Sequence, residues 1–178
     1  MLKFSMIIAL LACATAPAYA QYDRAQECWN PHAGHFEEVL DDPHADPARV
    51  RRVLLCSGKV YYDLAEWRAR KDVDEVAIVR VEQFYPLRED LFQRVFTRYR
   101  KAREWAWVQE ESQNMGAWTF VAPRLQELLG QPIPYVGRDA SASPATGSKV
   151  VHDREQAEIV KAAVAGAAVP HLVSARSG

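Results

Sequence analysis

No stretch of this chain is long and apolar enough to span a bilayer. The apolar run over residues 6–13 falls far short of the about 20 residues that a spanning helix takes. An excess of one charge is missing too. The 22 Lys and Arg stand against 23 Asp and Glu, a formal net charge of -1, so no global field draws the chain to nucleic acid. Cysteine is scarce, and Cys28 and Cys56 lie too far apart for a zinc signature. Cysteine is often buried without any bond, so no disulfide between these two is expected. There are only 8 glycines and no G-x-G-x-x-G among them, which removes a dinucleotide fingerprint. Thr146-Gly147-Ser148-Lys149 looks like the end of a phosphate loop but lacks its first glycine and its final Ser or Thr. No G-x-S-x-G elbow occurs. His32, His35 and His44 fit neither H-x-x-x-H on a helix nor a finger pattern, and read as solvated loop histidines. Residue chemistry alone therefore shows no nucleophile, metal cage or phosphate cradle.

What is present begins with the N-terminus. Residues 1–20 carry Lys3, an apolar run, then small residues ending Ala18-Tyr19-Ala20. This is the pattern of a secretory signal peptide, with Gln21 as the expected mature N-terminus and a periplasmic or secreted location. Leu10-Leu11-Ala12-Cys13 offers a lipidation box as an alternative, with a very short apolar region before it. A mitochondrial transit peptide is disfavoured because the segment lacks Arg. Residues 21–34 form an irregular lead-in, and residues 35–40 suit a short strand or a turn of helix.

The chain then falls into repeating strand–helix units. Residues 53–56 are an apolar run, Ser57-Gly58-Lys59 a turn, and Val60, Tyr61, Leu64 and Trp67 recur at helical spacing to about residue 70. Ser57 is placed to cap that helix. Residues 76–81 are β-branched and nearly all apolar, as in a strand covered on both faces. Pro86 is expected to start the next helix, whose stripe is Leu91, Phe92, Val95, Phe96 and Tyr99. The basic cluster Arg98, Arg100, Lys101, Arg103 follows it and reads as a solvated helix end. Residues 105–108 form a third strand. Trp118, Val121, Leu125 and Leu128 keep helical period across Pro123, so the helix either begins near Pro123 or is kinked there. Gly130 stops it. Residues 133–136 are a fourth strand, and residues 153–164 a last helix with Asp153 and Gln156 spaced as a capping box. Residues 167–178 are a weakly patterned tail. Strands alternating with helices specify an α/β fold: a three-layer αβα sandwich with a mostly parallel sheet.

Open α/β sheets bind ligands beyond the carboxyl ends of their strands. Here those ends are Ser57-Gly58-Lys59, Glu82-Gln83, Gln109-Glu110-Glu111 and Gly137-Arg138. Ser57 and Lys59 set free N–H groups, a hydroxyl and an ammonium near a helix N-terminus, either an anion turn or a plain helix start. Glu110 and Glu111 are adjacent, and adjacent side chains diverge, so they suit hydrogen bonding better than acid–base catalysis on one substrate. Trp105, Trp107 and Trp118 read as core or interface aromatics.

The segments RVLLCSGKVYYDL, VAIVRVEQFYPL, WVQEESQNMGAWTFVAPRL and YVGRDASASPATGSKVVHDREQ, starting at Arg52, Val76, Trp107 and Tyr135, resemble in order and spacing one known family. It is the C-terminal portion of the decarboxylating component of 2-oxoglutarate dehydrogenase. The resemblance covers residues 35–166 and implies a transketolase C-terminal-like domain. The full enzyme depends on thiamine diphosphate and magnesium, decarboxylates 2-oxoglutarate and passes a succinyl group to lipoamide in the tricarboxylic acid cycle. Its cofactor and substrate residues lie in larger domains upstream, so no catalytic, thiamine-binding or metal-binding residue is carried over. The resemblance implies a domain that is not catalytic alone and that pairs as a homodimer or with other domains or subunits of such an enzyme. Some members form a nucleotide or acetyl-CoA regulatory site here. Gln83 matches one position of it, while Glu89 and Asp90 replace basic residues, and His35 and Glu38 stand where Lys and Ser would be. The candidate regulatory-ligand residues are accordingly Ser57, Lys59, Gln83 and Arg138. An exported protein-binding module is the alternative reading. A cytoplasmic location follows instead if residues 1–20 derive from a rearranged gene.

Overall fold

The computed structural model describes residues 29–30, 35–143 and 147–166. The expected signal peptide, Cys28, His32, Thr146 and the tail 167–178 lie outside them. In chain order the elements are β1 (Trp29–Asn30), β2 (His35–Phe36), β3 (Val39–Leu40), β4 (Arg52–Cys56), α1 (Val60–Lys71), β5 (Val76–Val81), α2 (Glu89–Arg98), β6 (Glu104–Ser112), α3 (Trp118–Leu129), β7 (Tyr135–Arg138) and α4 (Lys149–Ala165). β1 and β2 pair as a small antiparallel ribbon. The main sheet runs β3-β5-β4-β6-β7, with only the short edge strand β3 antiparallel. The mostly parallel three-layer fold read from the sequence is what forms.

β4 sits at the centre, and its alternation divides the core. Leu54 and Cys56 face α1 and α4; Val53 and Leu55 face the layer of α2 and α3. β6 alternates in register with it, Ala106 and Val108 on the first side, Trp105 and Trp107 on the second. Val53, Leu54 and Leu55 are all fully buried. Each contributes about 1.5–3 kcal/mol by leaving water.

Several element ends differ from the sequence reading. Ser57 does not cap α1: Gly58 turns the chain at φ +69°, Lys59 takes the N-cap position, and no side chain caps the helix. The turn uses two residues more than a direct Ser57 cap allows. α1 then stops at Asp72 in the left-handed region, after Arg68, Arg70 and Lys71 have placed cations at its negative end. Pro86 does not start α2. The Tyr85–Pro86 bond is cis, and the helix begins three residues later at Glu89. β6 continues through Glu110 and Glu111, which the sequence reading had placed beyond the strand. Of the two readings left open at Pro123, the structure takes the one with the proline inside the helix: α3 begins at Trp118, so the Thr119 carbonyl lacks its usual donor. β7 is shifted two residues, because Pro134 offers its carbonyl to Trp107 N but has no N–H of its own to pair. α4 begins at Lys149, four residues early. Asp153 pairs with Lys149, and Gln156 is buried against other elements, so they form no capping box.

Candidate functional site

The turn after β4 and the end of β7 meet under the first turns of α4. Arg138 is the hub. Its Nε donates to Glu155 Oε2 at 2.9 Å, its Nη1 to the Glu110 carbonyl, and its Nη2 to Gln156 Oε1 at 3.3 Å. Nη2 also faces His152 Nδ1 at 3.3 Å, and since a guanidinium only donates, that nitrogen accepts. Gln156 turns its amide the other way, donating to Asp63 Oδ2 at 2.8 Å and to Glu110 Oε2 at 3.3 Å. Lys59 Nζ lies 3.6 Å from Asp63 and 3.5 Å from Glu110. One polar corner thus joins α1, β6, β7 and α4.

Lys59 and Arg138, both marked from the sequence, do come together here through shared partners. Ser57 enters the same turn but makes no cap bond. Gln83 belongs elsewhere. Its backbone N–H reaches the Glu38 carbonyl at 3.1 Å and its Nε2 the Pro86 carbonyl at 3.0 Å. Beside it Arg88 grips Glu38 at 2.6 Å and Asp90 at 2.9 Å. The Arg88 guanidinium holds the Asp90 carboxyl below the usual carboxylate range. Glu38 and Asp90, two of the departures noted at this place in the sequence, therefore close an ion triad on Arg88. Glu110 and Glu111 diverge as expected: Glu110 enters the polar corner, while Glu111 Oε2 lies by Gly116.

Sequence reasoning missed Glu155 and His152, since nothing in their spacing relates them to β7. Asp63 carried a signal, four residues after Lys59. That reasoning placed Gln109 at a strand end but missed its role in the turn that follows; the residue is 3% exposed. Gln109 Oε1 accepts from Trp107 Nε1 at 2.9 Å and from the Trp118 N–H at 3.1 Å, and its Nε2 donates to the Met115 and Ser112 carbonyls at 2.8 and 3.2 Å. The turn 113–117 is folded around this one amide. Asn114 then exchanges two bonds of 2.9 Å with the Ser141 backbone, tying that turn to the loop after β7.

The corner's chemistry is that of a fastener. Two cations, Lys59 and Arg138, meet three carboxylates, Asp63, Glu110 and Glu155, and each is engaged with another group of the fold. Among the described residues no group of three or more His, Cys, Asp and Glu is placed to hold a metal ion. Nor is any helix among the described residues long and apolar enough to cross a membrane.

Comparison with known proteins decides the family. The model of the 2-oxoglutarate dehydrogenase C-terminal family matches residues 31–164. The chain belongs to that family. A 2-oxoglutarate dehydrogenase E1 component from Cupriavidus necator is 42% identical over 135 residues, 74% of this chain and 14% of the relative. The mitochondrial 2-oxoglutarate dehydrogenase of Caenorhabditis elegans is 46% identical over 135 residues, 71% of this chain and 13% of the relative. A probable 2-oxoadipate dehydrogenase complex component E1 homolog from Dictyostelium discoideum is 42% identical over 130 residues, 71% of this chain and 14% of the relative. The chain thus spans about one seventh of the length of these relatives. The match to the 2-oxoglutarate dehydrogenase C-terminal family runs from ahead of β2 to the last turn of α4.

Proposed function

We propose that this 2-oxoglutarate dehydrogenase C-terminal domain is a scaffold, not catalytic alone, that supports a thiamine-diphosphate active site supplied by other domains or subunits of an E1-type enzyme. The carrying observation is the corner at the strand ends. In an α/β sheet that position is where ligands bind, yet here Arg138, Gln156, Glu110 and Asp63 are bonded to one another. The fold uses the position to fix α1 and α4 on the sheet. Purified protein incubated with 2-oxoglutarate, thiamine diphosphate and magnesium is expected to release no carbon dioxide. Turnover without a partner chain overturns the reading.

A second reading, favoured by one feature, gives Ser57, Lys59 and Arg138 a regulatory nucleotide or acyl-CoA. Lys59 is 57% exposed at its side chain and is held only at 3.5 and 3.6 Å, so an anion has an ammonium to compete for. Calorimetry with AMP and with acetyl-CoA, using Lys59→Ala as the control, tests it. Absence of heat from both ligands removes it.

A further inference from the structure

Basic side chains collect at one edge of the sheet. Helix α2 ends at Arg98, which pairs with Asp41 at 3.1 Å. A cation there complements the negative end of the helix. Arg100, Lys101 and Arg103 lie past that end, in the turn into β6, where the helix supplies no such reason. The Ala102 N–H closes the turn on the Tyr99 carbonyl at 2.8 Å, and the Arg103 N–H reaches the Arg51 carbonyl at 2.8 Å. Arg51 stands just before β4 and Arg103 just before β6, side by side in the parallel register that pairs Arg52 with Glu104. Four cations thus share the amino-terminal edge of two neighbouring strands, opposite the Lys59–Arg138 corner at the carboxyl ends.

All four residues are exposed, and among the described residues none of them has an ion partner. Arg51 makes one long contact, to the Ala48 carbonyl at 3.4 Å. Elsewhere Arg49, Arg70, Arg88 and Lys149 each hold a carboxylate. The nearby carboxylates are already engaged: Glu104 with Arg52 at 2.5 Å, Asp74 with Arg49, and Asp46 with the Ala48 N–H at 2.9 Å. Glu75, whose carbonyl accepts the Arg51 N–H, adds one exposed carboxylate against four cations. Like charges set directly opposite on neighbouring strands are destabilising. This edge therefore carries a repulsion that an anionic partner relieves.

We propose that the edge docks an acidic segment of another protein, whose carboxylates are received by Arg51, Arg100, Lys101 and Arg103. Arginine dominates the cluster, and a guanidinium takes a carboxylate through two bonds at once. A single-stranded nucleic acid needs exposed rings to stack on, but Tyr99 and Trp105 beside the cluster are 0% and 5% exposed. An anionic membrane needs apolar side chains beside the cations. Among the described residues the exposed large hydrophobic groups are Phe36, Tyr85 and Val150, all in other parts of the fold. The proposal rests on the scaffold reading and names the chemistry of one partner. Its place at the amino-terminal edge leaves the strand carboxyl ends to face the domains that supply the active site.

Fluorescence anisotropy with a labelled peptide rich in Glu and Asp tests it, with circular dichroism to confirm that each variant is folded. The peptide is expected to bind the purified chain at low salt and at least about tenfold more weakly at about 0.5 M salt. Arg51→Gln/Arg103→Gln and Arg100→Gln/Lys101→Gln are each expected to weaken binding about tenfold, and the control Arg154→Gln/Lys161→Gln on α4 less than about twofold. A carbodiimide is expected to join peptide carboxylates to Lys101 ahead of Lys149 and Lys161, as peptide mapping would read it. No binding at about 100 μM protein in low salt overturns the proposal and leaves the scaffold reading to its own turnover assay. Equal weakening by the control variant, or crosslinks spread evenly over the lysines, also overturns it, because any surface cation then serves. Tighter binding of a labelled oligonucleotide or of phosphatidylserine vesicles than of the peptide, lost in the same two variants, overturns the acidic polypeptide as partner.

Discussion

Asp42 and Arg68 form an ion pair inside the protein, with side chains 1% and 9% exposed. Their second contact, Nη2 to Oδ1, is 3.3 Å. The pair continues a strand by other means. β3 ends at Leu40, and in its register residue 42 stands opposite Ile78 of β5. There the Asp42 carboxylate accepts the Ile78 N–H at 2.8 Å, while Arg68 donates to the Val76 carbonyl at 3.0 Å. The neighbouring Asp41 turns to the other layer and accepts from Tyr99 Oη at 2.6 Å. Removing one member of a buried pair leaves the other charge uncompensated, at a cost of about 3–5 kcal/mol. Asp42→Ala is expected to cost that much in urea denaturation. The double variant Asp42→Ala/Arg68→Met is expected to lose clearly less than the sum of the single losses. Additive losses would show that the two side chains do not act as a pair.

This clamp also marks where sequence reading stops. β4 and β5 were legible because buried parallel strands need unbroken apolar runs, and Arg80 is the single interruption. The helices were legible from the spacing of groups such as Leu91, Phe92 and Val95. Their ends were less so: α1 starts at Val60 after the expected turn but without Ser57 as its cap, and α2 starts three residues after Pro86. Asp42, Gln109 and Arg138 were harder still. Gln109 and Arg138 were read as strand ends, but all three act on backbone groups that only the folded sheet brings near, so no local pattern announces their partners. Within the candidate site, the ends of β4 and β7 followed from the strand order alone. That Lys59 and Arg138 both reach Glu110, with Gln156 bridging Arg138 to Asp63 and Glu110, required the position of α4.

Gln109 fixes the turn after β6 by accepting from Trp107 and Trp118 and donating to Ser112 and Met115. Leu is nearly the same size but can replace none of these bonds. Gln109→Leu leaves the buried Trp107 Nε1–H and several backbone groups without partners, each costing about 1–3 kcal/mol where water cannot enter. Denaturation is expected to show at least about 2 kcal/mol of lost stability. Amide exchange should accelerate first across residues 113–118, ahead of β4. Uniform acceleration throughout the sheet would contradict a local role.

The proposed export signal in residues 1–20 makes a separate prediction. Expressed in a bacterium with a general secretory pathway, the chain is expected in the periplasm with Gln21 as its first residue, as N-terminal sequencing would read it. Replacing Ala20 by a bulky residue such as Phe is expected to block cleavage and leave Met1 in place. A soluble cytoplasmic product that retains Met1 in the unaltered chain would rule out export.

Cys56 supplies the pH dependence. It is fully buried at the end of β4. Burial pushes its thiol far up, with the nearby Arg80 pulling only partly back. Burial likewise raises the phenols of Tyr99, which also donates to Asp41, and of Tyr135. In the unfolded chain a thiol titrates near about 8.5 and a phenol near about 10. Above those values the unfolded state has released protons that the native state keeps. Unfolding stability therefore falls as pH rises, and these groups cost nothing below about pH 8. For the thiol the slope approaches about 1.4 kcal/mol per pH unit once pH exceeds the unfolded value. Urea midpoints measured from pH 7 to 10 are expected to decline above about pH 8.5. Cys56→Ala removes the thiol contribution, and its curve is expected to stay flatter until the tyrosines begin to titrate. In the same series Cys56 of the native protein is expected to stay unlabelled by a thiol reagent at pH 8, as peptide mapping would read it, until urea unfolds the chain. Parallel curves for the two proteins, or prompt labelling of native Cys56, would mean that the thiol is not held protonated inside the core.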